Sequence, residues 1–396
     1  MLNKQNDCEY GLRSLIGLIK YAGNYKRANT EVPDNEIILL VFHKTTLANI
    51  NKEDLPIFMD MINNLFPDIT PPEIKCEVLI DAIQRSMLKN NLQPTDSAVL
   101  KIVQLYEIKT YRSSVIIIGN SGAAKSITWK TLRDTLILLK SEQINSFETV
   151  IEYVLNPITL TTEELYGKYN HDTHEWVDGI FSSIIRKICS DNGLEQKWVI
   201  LDGPIESRWV ENMSSAIDDT NILILENGER ILIPKQVSFI FEVEDLKAAS
   251  PAIISKCGIV YNNHNDYGWR LYVNSWLNIC KFKLFKDEMK LNFEHYIDDL
   301  LVFKRLNCTE IVSLTDQNCI ISLCKLLESC TFHDLADKIP NELNDSQYKF
   351  LIKIWFIFCM IWSICGCLSE DGKNKIDVYI RKLEGIFPVK DTVYHY

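Results

Sequence analysis

Eight consecutive residues, Gly119, Asn120, Ser121, Gly122, Ala123, Ala124, Lys125 and Ser126, combine small side chains with one lysine and one terminal hydroxyl. They follow the apolar run 115–118 and precede a helix-compatible stretch over 128–139. In that strand-loop-helix context, backbone N–H groups close around phosphate oxygens at a helix N-terminus. Lys125 then supplies charge to the outer phosphates and the Ser126 hydroxyl holds Mg²⁺. Ala124 stands where this loop usually has a glycine, and its methyl narrows the accessible backbone angles.

A phosphate loop that hydrolyses its nucleotide needs a second strand. That strand ends in an Asp for Mg²⁺ and, in AAA+ proteins, an adjoining Glu that orients the attacking water. The run 198–202 ends in Asp202, which fits the metal role, but Gly203 and Pro204 follow it, so no carboxylate occupies the base position. Glu206 lies four residues on and reaches that place only through a distorted loop. These residues predict binding of ATP and Mg²⁺ with slow or absent hydrolysis, and no catalytic residue is assigned.

The elements that must position these groups follow from periodicity. Leu12, Leu15, Ile16 and Ile19 share one helical face, and Gly23-Asn24 is expected to stop that helix. Further amphipathic segments run over 36–50 and 55–66, and Pro67, Pro71 and Pro72 close a small helical unit, 1–72. Short apolar runs at 114–118, 149–155, 198–201, 237–243 and 258–261 alternate with helical stretches, the pattern of a parallel sheet with helices on its faces. This defines an α/β unit, 73–265. A helical unit, 266–396, completes the chain, with clusters at 276–285, 293–303, 319–327 and 354–362.

Composition narrows the function. With 42 Lys+Arg against 53 Asp+Glu the net charge is -11, which disfavours adhesion to nucleic acid or anionic lipid. Twelve scattered cysteines and a polar start after Met1 point to reduced thiols and a cytoplasmic setting. The apolar run from Ile354 to Leu368 is about 15 residues, short of the ~20 that span a bilayer, and is expected as a buried core helix. Cys365 and Cys367 lack a matching pair for metal. His171 and His174 are not expected to bind metal either, and Trp176, Trp198 and Trp209 are expected to pack in the core, because no basic stripe accompanies them.

Four long stretches resemble the dynein heavy chain: NPITLTTEELYGKYNHDTHEWVDGIF (156–181), LDGPIESRWVENMSSAIDD (201–219), LENGERILIP (225–234) and FEVEDLKAASPAIISKCG (241–258). The resemblance implies the second AAA+ module of the motor ring, an α/β P-loop NTPase core flanked by helical lid subdomains. EYGLRSLIGLIKYAGNYKR (9–27) is similar to the lid ending the first module, and the stretch through YIRKLEG (379–385) to the lid of the second. In that family the second module carries Asp-Gly in place of Asp-Glu and binds ATP without cycling it. The partners implied are neighbouring ring modules, with dynein subunits and microtubules reached only indirectly, in a cytoskeleton-associated setting.

The resemblance carries three more positions over. Arg13 matches the sensor Arg of the first module's lid. Glu244 falls near the polar sensor position at the end of the central strand, where a carboxylate repels a γ-phosphate. Lys256 stands where dynein modules present an Arg finger, keeping the charge but losing the bidentate fork. Two other readings compete with the regulatory module: a self-sufficient, helicase-like AAA+ ATPase using Glu206 or another acid as base, and a nucleotide-free structural adaptor.

Overall fold

The computed structural model describes residues 12–28, 30–47, 55–66, 77–144, 147–170, 172–218, 220–279, 283–332, 345–385, 387–388 and 390–395. The chain divides into two compact units, residues 1–89 with 94–266, and residues 90–93 with 267–396.

The first unit opens with four helices, α1 (Leu12–Ala28), α2 (Asp34–Leu47), α3 (Leu55–Leu65) and α4 (Glu77–Lys89). The expected stop at Gly23-Asn24 does not occur, because α1 runs through both residues. A glycine inside a helix costs about 1 kcal/mol. Packing of Leu18, Tyr21, Ala22 and Tyr25 around Ile37, Leu40 and Val41 of α2 offsets that cost. The face chosen from periodicity is also not the buried one, since Leu15, Ile16 and Ile19 are exposed.

Helix α5 (Asp96–Tyr111) is capped by the Thr95 hydroxyl, which accepts from the Ala98 N–H. There follow β1 (Ser114–Ile118), α6 (Lys125–Ser141), β2 (Val150–Leu155), α7 (Thr162–Tyr166), β3 (Gly167–Tyr169), β4 (Trp176–Asp178) and α8 (Ile180–Ser190). The unit continues through β5 (Gln196–Asp202), α9 (Ser207–Val210), α10 (Ser214–Ile217), β6 (Ile222–Ile224), β7 (Arg230–Leu232), β8 (Val237–Val243), α11 (Pro251–Ile254) and β9 (Gly258–Tyr261).

The parallel sheet read from the five apolar runs is present, with strand order β2-β5-β8-β1-β9. Strands β1, β8 and β9 keep the expected bounds. Strand β5 begins two residues earlier than the run at 198 and takes in Asp202. Val115, Ile116 and Ile117 are wholly buried, as are Phe241 and Ile240 beside them. Each such side chain contributes about 1.5–3 kcal/mol by leaving water. The central strands are therefore the rigid frame from which loops project.

Two antiparallel hairpins, β3-β4 and β6-β7, escape the periodicity because their strands are three residues long. Arg186 on α8 links them, donating to Asp178 at 2.7 Å and to Glu229 at 2.6 Å. Its hydrogen bonds to both carboxylates raise its pKa further and keep the guanidinium charged.

The second unit is helical, as its clusters predict. It is built from α12 (His264–Ile279), α13 (Lys283–Asn307), α14 (Asp316–Phe332), α15 (Asp345–Ile364) and α16 (Glu370–Leu383). The length argument about the apolar run needs correction: α15 has 20 residues, and Ser346–Ile364 is long and apolar enough to cross a membrane. Burial gives it a different role in this fold. Ile352, Phe356, Cys359, Met360 and Ile364 pack in one core with Met289, Phe293, Ile320 and Leu323 of α13 and α14. Cys365 is buried with them, and that burial raises its thiol pKa above the ordinary range.

Candidate phosphate and metal site

The loop 119–124 leaves the C-terminal end of β1 and enters α6 at Lys125. Its entry is fastened to the sheet, because the Gly119 N–H donates to the Val243 carbonyl at 3.1 Å. A Cβ on Gly119 would lie 2.4 Å from the Asn262 carbonyl oxygen, so only glycine fits there. Gly122 has φ of 83° and Ala124 has φ 57° and ψ 27°. The sequence anticipates a conformational cost at Ala124, and the backbone gives it a form: an alanine in the left-handed region, disfavoured by about 1–2 kcal/mol.

Lys125 is half-buried and folded back on its own loop, donating to the Gly119 carbonyl at 2.6 Å and the Asn120 carbonyl at 3.2 Å. Burial lowers its pKa, while the charges of Glu242, Glu244 and Asp202 oppose the shift. An ammonium held at the loop mouth by neutral carbonyls is free to exchange them for phosphate oxygens, which are stronger acceptors.

Ser126 donates its hydroxyl to Glu242 Oε1. The other carboxylate oxygen accepts from the Trp129 indole at 3.0 Å. Glu242 is 7% exposed and lies on β8, where it pairs in register with Asp202 at the end of β5. The register therefore sets Asp202 beside the residue whose carboxylate holds Ser126. The Ser126 and Asp202 oxygens suit Mg²⁺, a hard cation that takes few protein ligands and fills its shell with water and phosphate. Asp202 is exposed at its strand end, open to such a complex.

After Asp202 the chain turns sharply: Gly203 has φ of 152° and donates its N–H to the Glu242 carbonyl at 3.1 Å. Glu206 sits beyond the turn, directly before α9. The turn is anchored from below, with the Trp209 indole donating to the Pro204 carbonyl and Tyr166 donating to the Trp209 carbonyl at 2.7 Å. Trp198 is wholly buried and Trp209 stacks on Phe241, so both pack as expected. Trp176 packs edge-on against Tyr169.

Three site residues have no counterpart in the sequence reading. Glu242 and Trp129 are two; Asn262, after β9, is the third. The Asn262 amide donates to the Ala123 carbonyl at 3.2 Å and to the Thr128 hydroxyl at 2.9 Å, clamping the loop to the first turn of α6. Of the positions carried over by resemblance, Glu244 is exposed just past β8, two residues beyond the carboxylate that touches the loop. Lys256 donates to the Ser214 carbonyl at 2.8 Å and pairs with Asp218 at 3.4 Å, with its side chain 10% exposed. A finger role requires those contacts to break. The Arg13 side chain and His171 lie outside the described residues.

Comparison with known proteins adds an independent line. Residues 1–126 match the family model "Hydrolytic ATP binding site of dynein motor region". Residues 114–257 match "AAA domain (dynein-related subfamily)" and residues 289–396 match "Dynein heavy chain AAA lid domain". The chain is 41% identical over 395 residues to mouse dynein axonemal heavy chain 2, covering 100% of this chain and 9% of that protein. It is 40% identical over 395 residues to the human protein of the same name, with the same coverage. It is 34% identical over 434 residues to the dynein-1-beta heavy chain of the flagellar inner arm I1 complex of Chlamydomonas reinhardtii, covering 100% of this chain and 10% of that one. The chain thus spans about a tenth of the length of these relatives.

Proposed function

The chain belongs to the dynein heavy chain family, and from that membership we propose that it forms the second AAA+ module of a motor ring, binding ATP and Mg²⁺ without efficient hydrolysis. In this reading Gly119 to Ser126 cradle the phosphates, Lys125 neutralises the outer ones, and Ser126 and Asp202 hold the metal. The residues 1–72 end the preceding module, 73–265 form the α/β core and 266–396 its lid. Bound nucleotide sets the geometry of the ring, and the neighbouring modules are the direct partners. Microtubules and other dynein subunits are reached through the rest of the motor. The axonemal names of the relatives favour a cytoskeletal place in an axoneme.

One observation carries the non-hydrolysing reading: Gly203, turned back onto Glu242, occupies the position after the metal Asp where a water-orienting carboxylate would stand. The family model named for hydrolysis covers 1–126 and so ends before this strand. The adaptor reading has its own support, because Lys125 and Ser126 already have partners within the protein.

A single titration separates the readings. ATP and ADP affinity is measured with and without Mg²⁺, alongside turnover on the same sample, with Lys125→Ala as control. Binding that is lost in the variant, with turnover no faster than slow leakage, supports the proposal. Robust turnover dependent on Lys125 overturns it in favour of a self-sufficient ATPase, and absence of binding overturns it in favour of the adaptor.

A further inference from the structure

The open face of Gly203 already has a neighbour. A Cβ there would lie 3.3 Å from Asn156 Oδ1 and 3.4 Å from Ile158 Cδ1, so the segment after β2 stands where a side chain at 203 would project. Register explains the meeting. Leu155, the last residue of β2, pairs with Leu201, so Asn156 follows at the level of Asp202. Asn156 and Asp202 are both exposed and Ile158 is 45% exposed, so this face of the site is open to a ligand.

Asn156 is held there by its own turn. Its Oδ1 accepts from the Ile158 N–H at 3.1 Å, and its carbonyl accepts from the Thr159 hydroxyl at 2.9 Å, which caps a 3₁₀ turn over Pro157–Thr159. A backbone N–H partner identifies the bound end of the amide as oxygen, so the free end is the NH₂ donor. That donor makes no hydrogen bond among the described residues. The site thus offers an exposed donor beside the metal Asp, where a hydrolysing module needs an acceptor to orient water. An amide N–H binds phosphate oxygen but takes no proton from water.

We propose that Asn156 reads the terminal phosphate of ATP, its Nδ2 donating to a γ-oxygen directly or across one water. The inference rests on the nucleotide-binding reading and deepens it by assigning the residue that prefers ATP to ADP. A carboxylate in this place polarises water and repels the phosphate. The amide keeps the phosphate and leaves the water unactivated. ADP lacks the group that Asn156 meets and forgoes the contact.

Calorimetry with Mg²⁺–ATP and with Mg²⁺–ADP tests this, and the readout is the ratio of the two affinities. Asn156→Ser keeps an oxygen that caps the turn and replaces the amide with a hydroxyl too short to reach outward. Asn156→Asp keeps the cap and the shape but turns the donor into an anionic oxygen. The serine variant is expected to lower the ATP-to-ADP preference roughly tenfold, and the aspartate variant further. ADP affinity should stay within about twofold of wild type in both, because the turn is still capped. Equal losses for ATP and ADP would make Asn156 a structural cap only and overturn the proposal, as would an unchanged ratio or a fall with aspartate alone. A wild-type chain that binds ADP as tightly as ATP would also overturn it, a readout independent of any variant. If the wild-type chain binds neither nucleotide, the nucleotide-binding reading falls and takes this inference with it; binding of both with the ratio unmoved in the variants removes the role of Asn156 alone.

Discussion

The Ser126 hydroxyl is hydrogen-bonded to the Glu242 carboxylate, joining the first turn of α6 to the central strand β8. The group that would hold Mg²⁺ is thus kept by an anion that attracts the metal and repels free phosphate. In the proposed reading an incoming Mg²⁺–ATP complex would replace this contact, whereas ATP alone would meet an uncompensated carboxylate.

Glu242→Gln should therefore change metal dependence more than overall fold. Two unit charges a few ångströms apart near a protein surface interact by a few kcal/mol. Removing the anion is expected to tighten ATP binding without Mg²⁺ on the order of tenfold and to shrink the gain that Mg²⁺ provides. Titrating a fluorescent ATP analogue with and without a chelator checks this. An unchanged Mg²⁺ dependence would count against a role for Glu242 at the metal.

Ala124→Gly should stabilise the loop. The left-handed backbone at Ala124 costs about 1–2 kcal/mol for a residue with a Cβ. Glycine loses part of that gain, about 0.4–1 kcal/mol, to a more flexible unfolded chain. A net gain between about 0 and 1.6 kcal/mol corresponds to a rise of at most roughly 3 °C in the thermal midpoint of the first unit. Differential scanning calorimetry would detect it, and a lower midpoint would mean the alanine methyl makes a contact that outweighs its strain.

Asn262→Ala should loosen the phosphate loop from the side opposite Glu242. It removes both donations from the amide and leaves the Ala123 carbonyl without that partner. A loss of about 1–3 kcal/mol in stability is expected. ATP affinity should fall with it, since the loop is no longer preorganised. If urea unfolding weakens while ATP affinity is preserved, the clamp is structural only.

Lys109→Met gives a pH signature in stability. Unfolded, Lys109 holds its proton up to the ordinary value of 10.5; folded, burial lowers that value well below it. Between the two the unfolded state binds more protons, so the wild-type chain gains stability as pH rises through that window. The cost is largest below the lowered value and vanishes above 10.5. Lys109→Met should be more stable than wild type near neutral pH, with the difference fading as pH approaches 10.5. Urea unfolding at several pH values measures it, and a difference independent of pH would mean Lys109 stays charged in the fold.

Much of the first unit is legible because its signals are local. An apolar run bounded by turn residues fixes β1, β8 and β9, and a Gly-rich turn between strand and helix fixes the phosphate loop. Glu242 is not legible in the same way. Between Phe241 and Val243 it reads as a lone acid in a core strand, and only the register of β8 against β5 and the approach of α6 give it partners. The same holds for α1, where Leu15, Ile16 and Ile19 and the opposite residues Leu18, Tyr21 and Tyr25 each form an apolar stripe. Periodicity finds both faces, and the position of α2 selects between them. The Asn262 clamp depends on chain segments more than a hundred residues apart, a separation at which local pattern carries no information.

The two oxygens of Glu242 are bound three residues apart on the same helix, at Ser126 and Trp129. Two pins on one helix turn remove both sliding and rotation, so α6 cannot move along β8 without breaking a bond to the carboxylate. Strands β5 and β1 flank β8 on either side. While both bonds stand, the loop and helix are tied to β8 as one body; a ligand that takes Ser126 from Glu242 leaves Trp129 as the remaining pin, about which the start of α6 can pivot.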